Sequence, residues 1–262
     1  MRISLAFALV CAVVLCQCES TGRQEVPEDG SSSAKTQYAA GKIPPSSKVV
    51  ETVRFTTSDG VQIAASWYAA AAKGPAVLCL HQWRSDRTRF SGLAAMLQKE
   101  GFSVLAIDMR GHGGSVKNVD GTSVAPDRNA QPELAAALTF LRSRPTVDAA
   151  RLGIIGASYG SSNAIMTAAA EAGVKAVVML SPGMNFFNVL PIEDAVKKFR
   201  GAVLAVASDE DVRSADAVKK IALIGGARVD TKSYKDAGHG TDILEAGLGL
   251  DEVVVAFLKR NL

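Results

Sequence analysis

Residues 152–164 read LGIIGASYGSSNA and combine a strand, a turn and a helix in one stretch. An apolar run typical of a buried strand leads into Gly156-Ala157-Ser158-Tyr159-Gly160, and an alanine-rich helical segment follows. This G-x-S-x-G pattern is typical of a strained turn that projects its serine outward, with glycines that let neighbouring backbone pass close by. Ser158 is therefore a candidate nucleophile, whereas the alternative is a glycine-rich turn with a capping serine.

Strand and helix patterns alternate on both sides of this turn. Two alternating strands flank Ser58-Asp59-Gly60, which is a hairpin signal. Apolar strand patterns begin at positions 74, 102, 151, 174, 201 and 229, with helical patterns between them, one of them with a cap candidate at Ser214. This order predicts a single α/β domain over residues 48–262, with a mostly parallel mixed sheet and helices on both faces. Ligands bind such sheets at the carboxyl ends of the strands.

A nucleophilic serine needs a base, and the chain has three histidines. His239 lies in the loop Ala237-Gly238-His239-Gly240 after the last strand pattern, which favours it as the general base. A carboxylate must then orient the imidazole. The candidates Asp209, Glu210 and Asp211 all follow the same strand pattern. Asp211 is our choice and Asp209 is next, although spacing alone does not separate these two.

These motifs together resemble the α/β-hydrolase superfamily, and specifically its dienelactone hydrolase-like branch, over residues 50 to 262. The resemblance rests on GASYG, AGHG, Leu80-His81-Gln82-Trp83, the glycine loop from Asp108 to Gly113, and Ser208-Asp209-Glu210-Asp211. It implies a Ser158, Asp211, His239 triad and favours Asp211 over Asp209. It also implies an oxyanion hole made by the backbone N–H groups of Tyr159 and Gln82, or alternatively Trp83.

Two departures from the family pattern bear on activity. Dienelactone hydrolases carry cysteine at the elbow, where this chain has Ser158, which points to general ester hydrolysis. Many superfamily members have His-Gly after the third strand, where this chain has His81-Gln82. In the superfamily a histidine at position 81 shapes the oxyanion loop, and we expect His112 and Cys79 to be structural.

No cap domain is expected, because few residues separate the strands near 181 and 201. The site should therefore be open, with Trp83 and Phe186 as substrate-binding candidates and Phe187 and Tyr159 as further rim residues. Arg84, Arg87 and Arg89 follow the oxyanion loop; they could attract an acidic substrate, although a solvated helix start is the preferred interpretation. The spacing of histidines and cysteines indicates no metal site, and no cofactor is required.

The N-terminal segment has the features of a targeting signal. Residues 1–18 place Arg2 before an apolar run from Ile3 to Cys16, as in a secretory signal peptide. Cys18 or Cys16 could carry a lipid anchor, although neither follows a small residue. Residues 19–47 are rich in Ser, Gly, Pro and charge and are expected to form a flexible tether. We therefore expect a secreted or envelope-tethered protein.

Composition excludes several classes of protein. Of 262 residues, 48% are hydrophobic, so collagen-like and wholly disordered chains are excluded. The net charge of +3 is too small for a nucleic-acid footprint. The sequence thus favours a serine hydrolase acting on a small carboxylic ester. The alternatives are a peptidase of the prolyl-oligopeptidase type, or a non-catalytic binding module of the cell envelope on the same fold.

Overall fold

The computed structural model describes residues 50–262. The predicted signal segment 1–18, with Cys16 and Cys18, and the predicted tether 19–47 lie outside the described residues, so both stay predictions. Among residues 50–262, no helix has the length and apolar character needed to cross a bilayer.

Strands and helices alternate as the sequence predicts. The strands are β1 (Val50–Thr56), β2 (Val61–Tyr68), β3 (Gly74–Leu80), β4 (Ser103–Ile107), β5 (Lys117–Asn118), β6 (Val147–Ala157), β7 (Val174–Leu180), β8 (Asn185–Phe186), β9 (Leu190–Pro191), β10 (Ala202–Ser208) and β11 (Val229–Tyr234). The helices are α1 (Ser91–Lys99), α2 (Gln131–Arg142), α3 (Tyr159–Ala170), α4 (Glu193–Lys198), α5 (Val212–Gly225), α6 (Asp242–Glu245) and α7 (Leu250–Asn261). Short 3₁₀ turns at Arg87–Phe90 and Gly226–Arg228 precede α1 and β11.

Within the described residues, the main sheet has the strand order β1-β2-β4-β3-β6-β7-β10-β11, with β5 paired to β2. Strands β1 and β2 form an antiparallel hairpin, and β2 pairs antiparallel with β4. From β4 onward in this spatial order, neighbouring strands run parallel. The chain moves from β3 outward to β4 and then returns to the other side of β3 with β6. The order therefore reverses between β3 and β6, and open α/β sheets bind ligands at such a switch point. Ser158 follows β6 and Gln82 follows β3, so both lie there.

The central strands are buried on both faces, which explains their continuous apolar sequence. On β3, Leu78 and Leu80 pack into a cluster with α2, α3 and α5, whereas Val77 and Cys79 pack into a second cluster with α1 and α7. Cys79 is fully buried, as expected, and burial raises the pKa of its thiol. Two packed layers of helices thus hold the strand ends in fixed positions.

One predicted cap is wrong. Helix α5 begins at Val212, and its N-cap is Asp211, whose side chain accepts a hydrogen bond from the Ser214 backbone N–H at 3.3 Å. Ser214 is therefore inside the first turn. The error arises because aspartate and serine are both favoured N-cap residues. Strand β10 ends at Ser208, so the helix begins earlier than a cap at Ser214 would require.

The connection between β7 and β10 contains the β8–β9 hairpin and α4. As expected, no cap domain is inserted in the described part of the chain. The hairpin turns at Phe187 and Asn188, which both have positive φ, and the Val189 N–H closes the turn on the Phe186 carbonyl at 3.2 Å. The hairpin brings two phenylalanines toward the carboxyl end of the sheet.

Candidate active site

Ser158 lies at the sharp turn between β6 and α3. Its φ of +52° is in the left-handed region, which is unusual for a residue with a side chain and is found where a turn is over-determined by its surroundings. Both glycines of the motif are sterically required. A Cβ at Gly156 would lie 2.3 Å from the Gly160 carbonyl oxygen, and a Cβ at Gly160 would lie 2.7 Å from the carbonyl oxygens of Leu80 and His81.

Backbone hydrogen bonds hold the turn in place. The Ser158 N–H donates to the Leu180 carbonyl at 2.8 Å, which joins the elbow to β7. The Ser158 carbonyl accepts from both the N–H and the hydroxyl of Ser161, at 2.8 and 2.5 Å. The Ser158 hydroxyl makes none of these bonds, and the residue is 7% exposed. Backbone bonds therefore fix the turn without using the Ser158 hydroxyl, which lies at the start of α3.

His239 and Asp211 are in direct contact. The Nδ1 atom of His239 lies 2.6 Å from Asp211 Oδ2, so the tautomer that carries its proton on Nδ1 donates to the carboxylate and leaves Nε2 free to accept a proton. The imidazole is 41% exposed and the Asp211 side chain 17% exposed. Burial opposes ionisation of Asp211, but hydrogen bonds from His239 and Ser214 outweigh it and lower the pKa of this carboxyl below its usual value.

The three adjacent acids after β10 have different partners. Asp211 contacts the imidazole, whereas Asp209 accepts a hydrogen bond from the exposed Ser233 hydroxyl. Glu210 accepts from the Gly238 backbone N–H at 2.6 Å and from the Ser208 hydroxyl. Between Asp211 and Asp209, the two carboxylates that spacing alone did not separate, only Asp211 reaches the histidine.

The loop that carries His239 is placed beside the elbow. The Ala237 N–H donates to Ser208 Oγ at 2.8 Å, and the Gly240 N–H donates to Ser181 Oγ at 2.8 Å. A Cβ at Gly240 would lie 3.5 Å from the Ala157 Cβ, so the residue after His239 packs against the residue before Ser158. The structure thus brings together the three segments that carry Ser158, Asp211 and His239.

The loop after β3 forms the other wall. Within residues 50–262, no backbone carbonyl accepts from the amide N–H of Gln82 or Tyr159, so both predicted oxyanion donors are unpaired with backbone. His81 organises this loop, because its Nε2 accepts from the Met109 N–H at 3.0 Å and its Nδ1 lies 2.8 Å from the Gln82 carbonyl. The Trp83 N–H, on the opposite side of the same planar peptide, is directed away from His81.

His81 is a buried, neutral histidine. Burial lowers its pKa to about 4, although the hydrogen bond to the Gln82 carbonyl opposes the shift. At neutral pH its ring therefore has one donor and one acceptor, and both are used. This arrangement agrees with the expectation that His81 shapes the loop and is not the base.

An aromatic cluster lies next to the elbow. Trp83 packs edge-on against the rings of His112 and Tyr159, with centroids 5.0 and 5.2 Å apart, and against Phe187 at 5.3 Å. Phe186 packs against Phe187 at 6.2 Å. His112 is buried, as expected of a structural residue. The partly exposed members Trp83, Phe186 and Phe187 are placed where a substrate could contact them.

The expectation that the Tyr159 side chain lies on the rim is wrong. Tyr159 is fully buried, because the first residue of α3 points into the core between the helix and the sheet. The prediction concerning its N–H is separate and is not affected.

A cleft of about 540 Å³ opens beside the cluster. Its lining residues are Trp83, Arg84, Ser85, Asp86, Gly111, His112, Gly113 and Pro126. The lining combines one indole face with both signs of charge. Ser158 and His239 do not line it, so the cleft adjoins the site on the side of the oxyanion loop and does not contain the reacting groups.

The arginines after the oxyanion loop have mostly structural partners. Arg87 pairs with the fully buried Asp108, which also accepts from the Arg87 and Gly114 backbone N–H groups, each at 2.7 Å. Arg89 pairs with two carboxylates of α6, one of them at 2.9 Å. Arg84 is exposed. The preferred interpretation of these arginines as a solvated helix start therefore does not describe Arg87 and Arg89, whose ion pairs join this segment to other parts of the chain.

Sequence reasoning missed the roles of three side chains that position the site. The side chains of Ser181, Glu210 and Gln82 each accept a hydrogen bond from the loop that carries His239. Serine, glutamate and glutamine at strand ends are common, so no sequence pattern marks these side-chain roles in advance.

Among residues 50–262, no group of three or more metal-ligating side chains is arranged around a common point.

Curated relatives match about half of the chain. A thiohydrolase, aneE, from Aspergillus aculeatus is 30% identical over 136 residues, which cover 52% of this chain and 42% of the relative. An acyltransferase, drtE, from Aspergillus calidoustus is 29% identical over 147 residues, which cover 55% and 46%. The chain therefore spans less than half the length of these two relatives.

Similar solved structures share the architecture. An esterase from Pyrococcus furiosus superposes with a TM-score of 0.68 at 19% identity, covering 85% of this chain and 95% of the esterase. A dienelactone hydrolase from Anabaena variabilis superposes with a TM-score of 0.66 at 17% identity, covering 82% and 99%. At such identities the likeness shows the fold alone. The family model for the alpha/beta hydrolase fold matches residues 75–226, more than half of the chain. The chain therefore belongs to the alpha/beta hydrolase family.

Proposed function

We propose that this protein is a serine hydrolase that cleaves a carboxylic ester through an acyl-enzyme. The observation that carries the proposal is the His239–Asp211 contact of 2.6 Å on a loop that packs against the elbow of Ser158. A hydroxyl at a strained turn, an imidazole with a free Nε2, and a carboxylate behind that imidazole are the parts that acyl transfer requires. No cofactor takes part in the proposed reaction.

In the first step, Ser158 Oγ attacks the ester carbonyl carbon while His239 Nε2 accepts the hydroxyl proton. The carbonyl π electrons move to oxygen, and the N–H groups of Tyr159 and Gln82 hydrogen-bond the oxyanion. Each such donor contributes on the order of 10²–10³ in rate. Asp211 stabilises the imidazolium. When the tetrahedral intermediate collapses, the bond to the alcohol oxygen breaks and the imidazolium protonates the leaving alcohol.

In the second step, water attacks the acyl-enzyme. His239 Nε2 takes a proton from the water, the same amides hold the second oxyanion, and the bond between Ser158 Oγ and the acyl carbon breaks. The proton on His239 returns to Ser158 Oγ, and the carboxylic acid leaves. The half-exposed imidazole and the lack of a cap domain in the described residues give water direct access for this step.

The direct test compares the purified protein with its Ser158→Ala variant on nitrophenyl esters of increasing acyl length. We expect turnover by the parent protein and loss of all turnover above background in the variant. A fluorophosphonate probe should label the parent and not the variant. Retained esterase activity in Ser158→Ala would overturn the assignment.

A second candidate substrate is a thioester. Two relatives that match this chain at 30% identity are named thiohydrolases, from Aspergillus aculeatus and Arthrinium phaeospermum. A thiolate leaves more readily than an alkoxide, so the same Ser158 chemistry serves both bonds. Butyryl esters of N-acetylethanolamine and of N-acetylcysteamine, which differ only in the oxygen or sulfur of the leaving group, separate the two when assayed side by side for kcat/KM. A tenfold or greater preference for the thioester would replace the ester proposal by this one.

A further inference from the structure

The side chain of Gln82 joins the two loops that flank Ser158. Its Oε1 accepts a hydrogen bond from the Thr241 backbone N–H at 2.7 Å and a second from Thr241 Oγ1 at 2.9 Å. Gln82 lies in the loop after β3, whereas Thr241 lies two residues after His239. The bonds therefore connect the loop with the predicted oxyanion donor to the loop with the predicted base.

The loop that carries His239 leaves room for the Gln82 side chain because residue 240 is a glycine. A Cβ at Gly240 would lie 2.2 Å from Gln82 Oε1, so a side chain at position 240 would displace the glutamine. Thr241 is fully buried, and its hydroxyl accepts a hydrogen bond from Arg89 Nε at 3.2 Å while it donates to Gln82. Buried donors that lose their acceptor are costly, so this pairing is held tightly.

The main chain of Gln82 is anchored as well. Its carbonyl accepts from His81 Nδ1 at 2.8 Å and from the Ser85 N–H at 3.2 Å. Gln82 is thus fixed at its backbone by its own loop and at its side-chain end by the loop of His239. Gln82 therefore transmits a shift of one loop to the other, and Arg89, which donates to Thr241 Oγ1, is a second link.

We propose that the Gln82 side chain is a positioning residue that sets the distance between the oxyanion loop and the imidazole of His239. The inference rests on the proposed function of Ser158 and His239. A misplacement of this kind lowers the rate of the chemical step more than substrate binding, because the imidazole and the donor amides act together in the transition state.

The test uses Gln82→Met, which keeps the length of the side chain and the backbone amide but removes the acceptor. We expect kcat on a nitrophenyl ester to fall about tenfold, with KM changed less than about twofold, and the rate of fluorophosphonate labelling to fall in parallel. Gln82→Glu keeps an acceptor oxygen at the same reach and should restore kcat to within about threefold of the parent.

Thr241→Val supplies the matched control for the hydroxyl, since it removes the bonds of Thr241 Oγ1 with Gln82 and with Arg89 and keeps the amide bond. Its kcat should fall about threefold, and the double variant Gln82→Met/Thr241→Val should lose clearly less than the product of the two single losses. Parental kcat in Gln82→Met, equal losses in Gln82→Met and Gln82→Glu, or fully additive losses in the double variant would each overturn the proposal. If Gln82→Met does not fold, Thr241→Val decides: a loss of kcat of about threefold with unchanged KM supports the proposal, and parental kcat overturns it. Failure of the proposed function is distinct, because it would appear as activity that survives Ser158→Ala.

Discussion

The elbow of Ser158 and the loop of His239 are held by different kinds of interaction. At the elbow, backbone contacts decide the geometry: two glycines allow main-chain approaches, and the Ser158 N–H pairs with a carbonyl of the neighbouring strand. In the loop of His239, side chains from other segments accept four backbone N–H groups. These donors and their acceptors are Ala237 with Ser208, Gly238 with Glu210, Gly240 with Ser181, and Thr241 with Gln82.

The difference has a physical consequence. A clash with backbone carbonyls is not relieved by moving one side chain, so the elbow should open as a whole when either glycine is replaced. Several side-chain hydrogen bonds together hold the loop of His239, and each contributes on the order of 1 kcal/mol to stability. That loop should therefore weaken gradually as its acceptors are removed one at a time.

The largest expected effect comes from Asp211→Asn, which breaks the link between the two regions. Asparagine also caps helices, so α5 and the fold should persist. The amide cannot orient and stabilise the imidazolium as a carboxylate does, and kcat should fall about 10⁴-fold. Steady-state kinetics with circular dichroism would show this. Asp209→Asn is the matched control, expected to retain parental kcat; equal losses in both variants would contradict the assignment of Asp211.

Gly160→Ala tests the elbow itself. The added Cβ would lie 2.7 Å from two carbonyl oxygens, so the turn must open and the free energy of unfolding should fall by about 3 kcal/mol. Gly92→Ala is the control, because a Cβ there meets nothing within 4 Å and alanine favours a helix by about 0.5–1 kcal/mol. Urea denaturation measures both changes. A Gly160→Ala protein as stable as the parent would show that the elbow is not sterically fixed.

A pH titration probes the oxyanion loop that lies between the two regions. The folded-state pKa of His81 is about 4, below the unfolded value of about 6.5, so the unfolded chain binds more protons between these pH values. The stability contribution is fully present above pH 6.5 and is lost as pH falls to 4, by about 3 kcal/mol.

His81→Gln should remove this slope, because glutamine does not titrate. The measurement is the free energy of unfolding from pH 4 to 8 for both proteins, and their difference isolates His81 from all other groups. Identical slopes would show that His81 titrates in the folded protein with the same pKa as in the unfolded chain, which would contradict its neutral, buried role in the loop.

Local patterns predicted the elements that form from near neighbours. The hairpin at Ser58-Asp59-Gly60, the alternation of strands and helices, and the turn at Ser158 are confirmed. The predicted cap at Ser214 is wrong by three residues, because Asp211 caps α5. The predicted rim position of Tyr159 is wrong, because a helix face is assigned by packing against the sheet and not by sequence neighbours.

The sequence by itself determined the order of strands and helices and the position of the elbow motif, because periodicity and turn chemistry act between residues a few positions apart. Only the tertiary structure decided which acid contacts His239, which side chains hold that loop, and that Gln82 spans to Thr241. Those contacts join residues far apart in the chain. Local preferences act between neighbours in the sequence, so they do not encode a partner that only the packing of the whole sheet brings within about 3 Å.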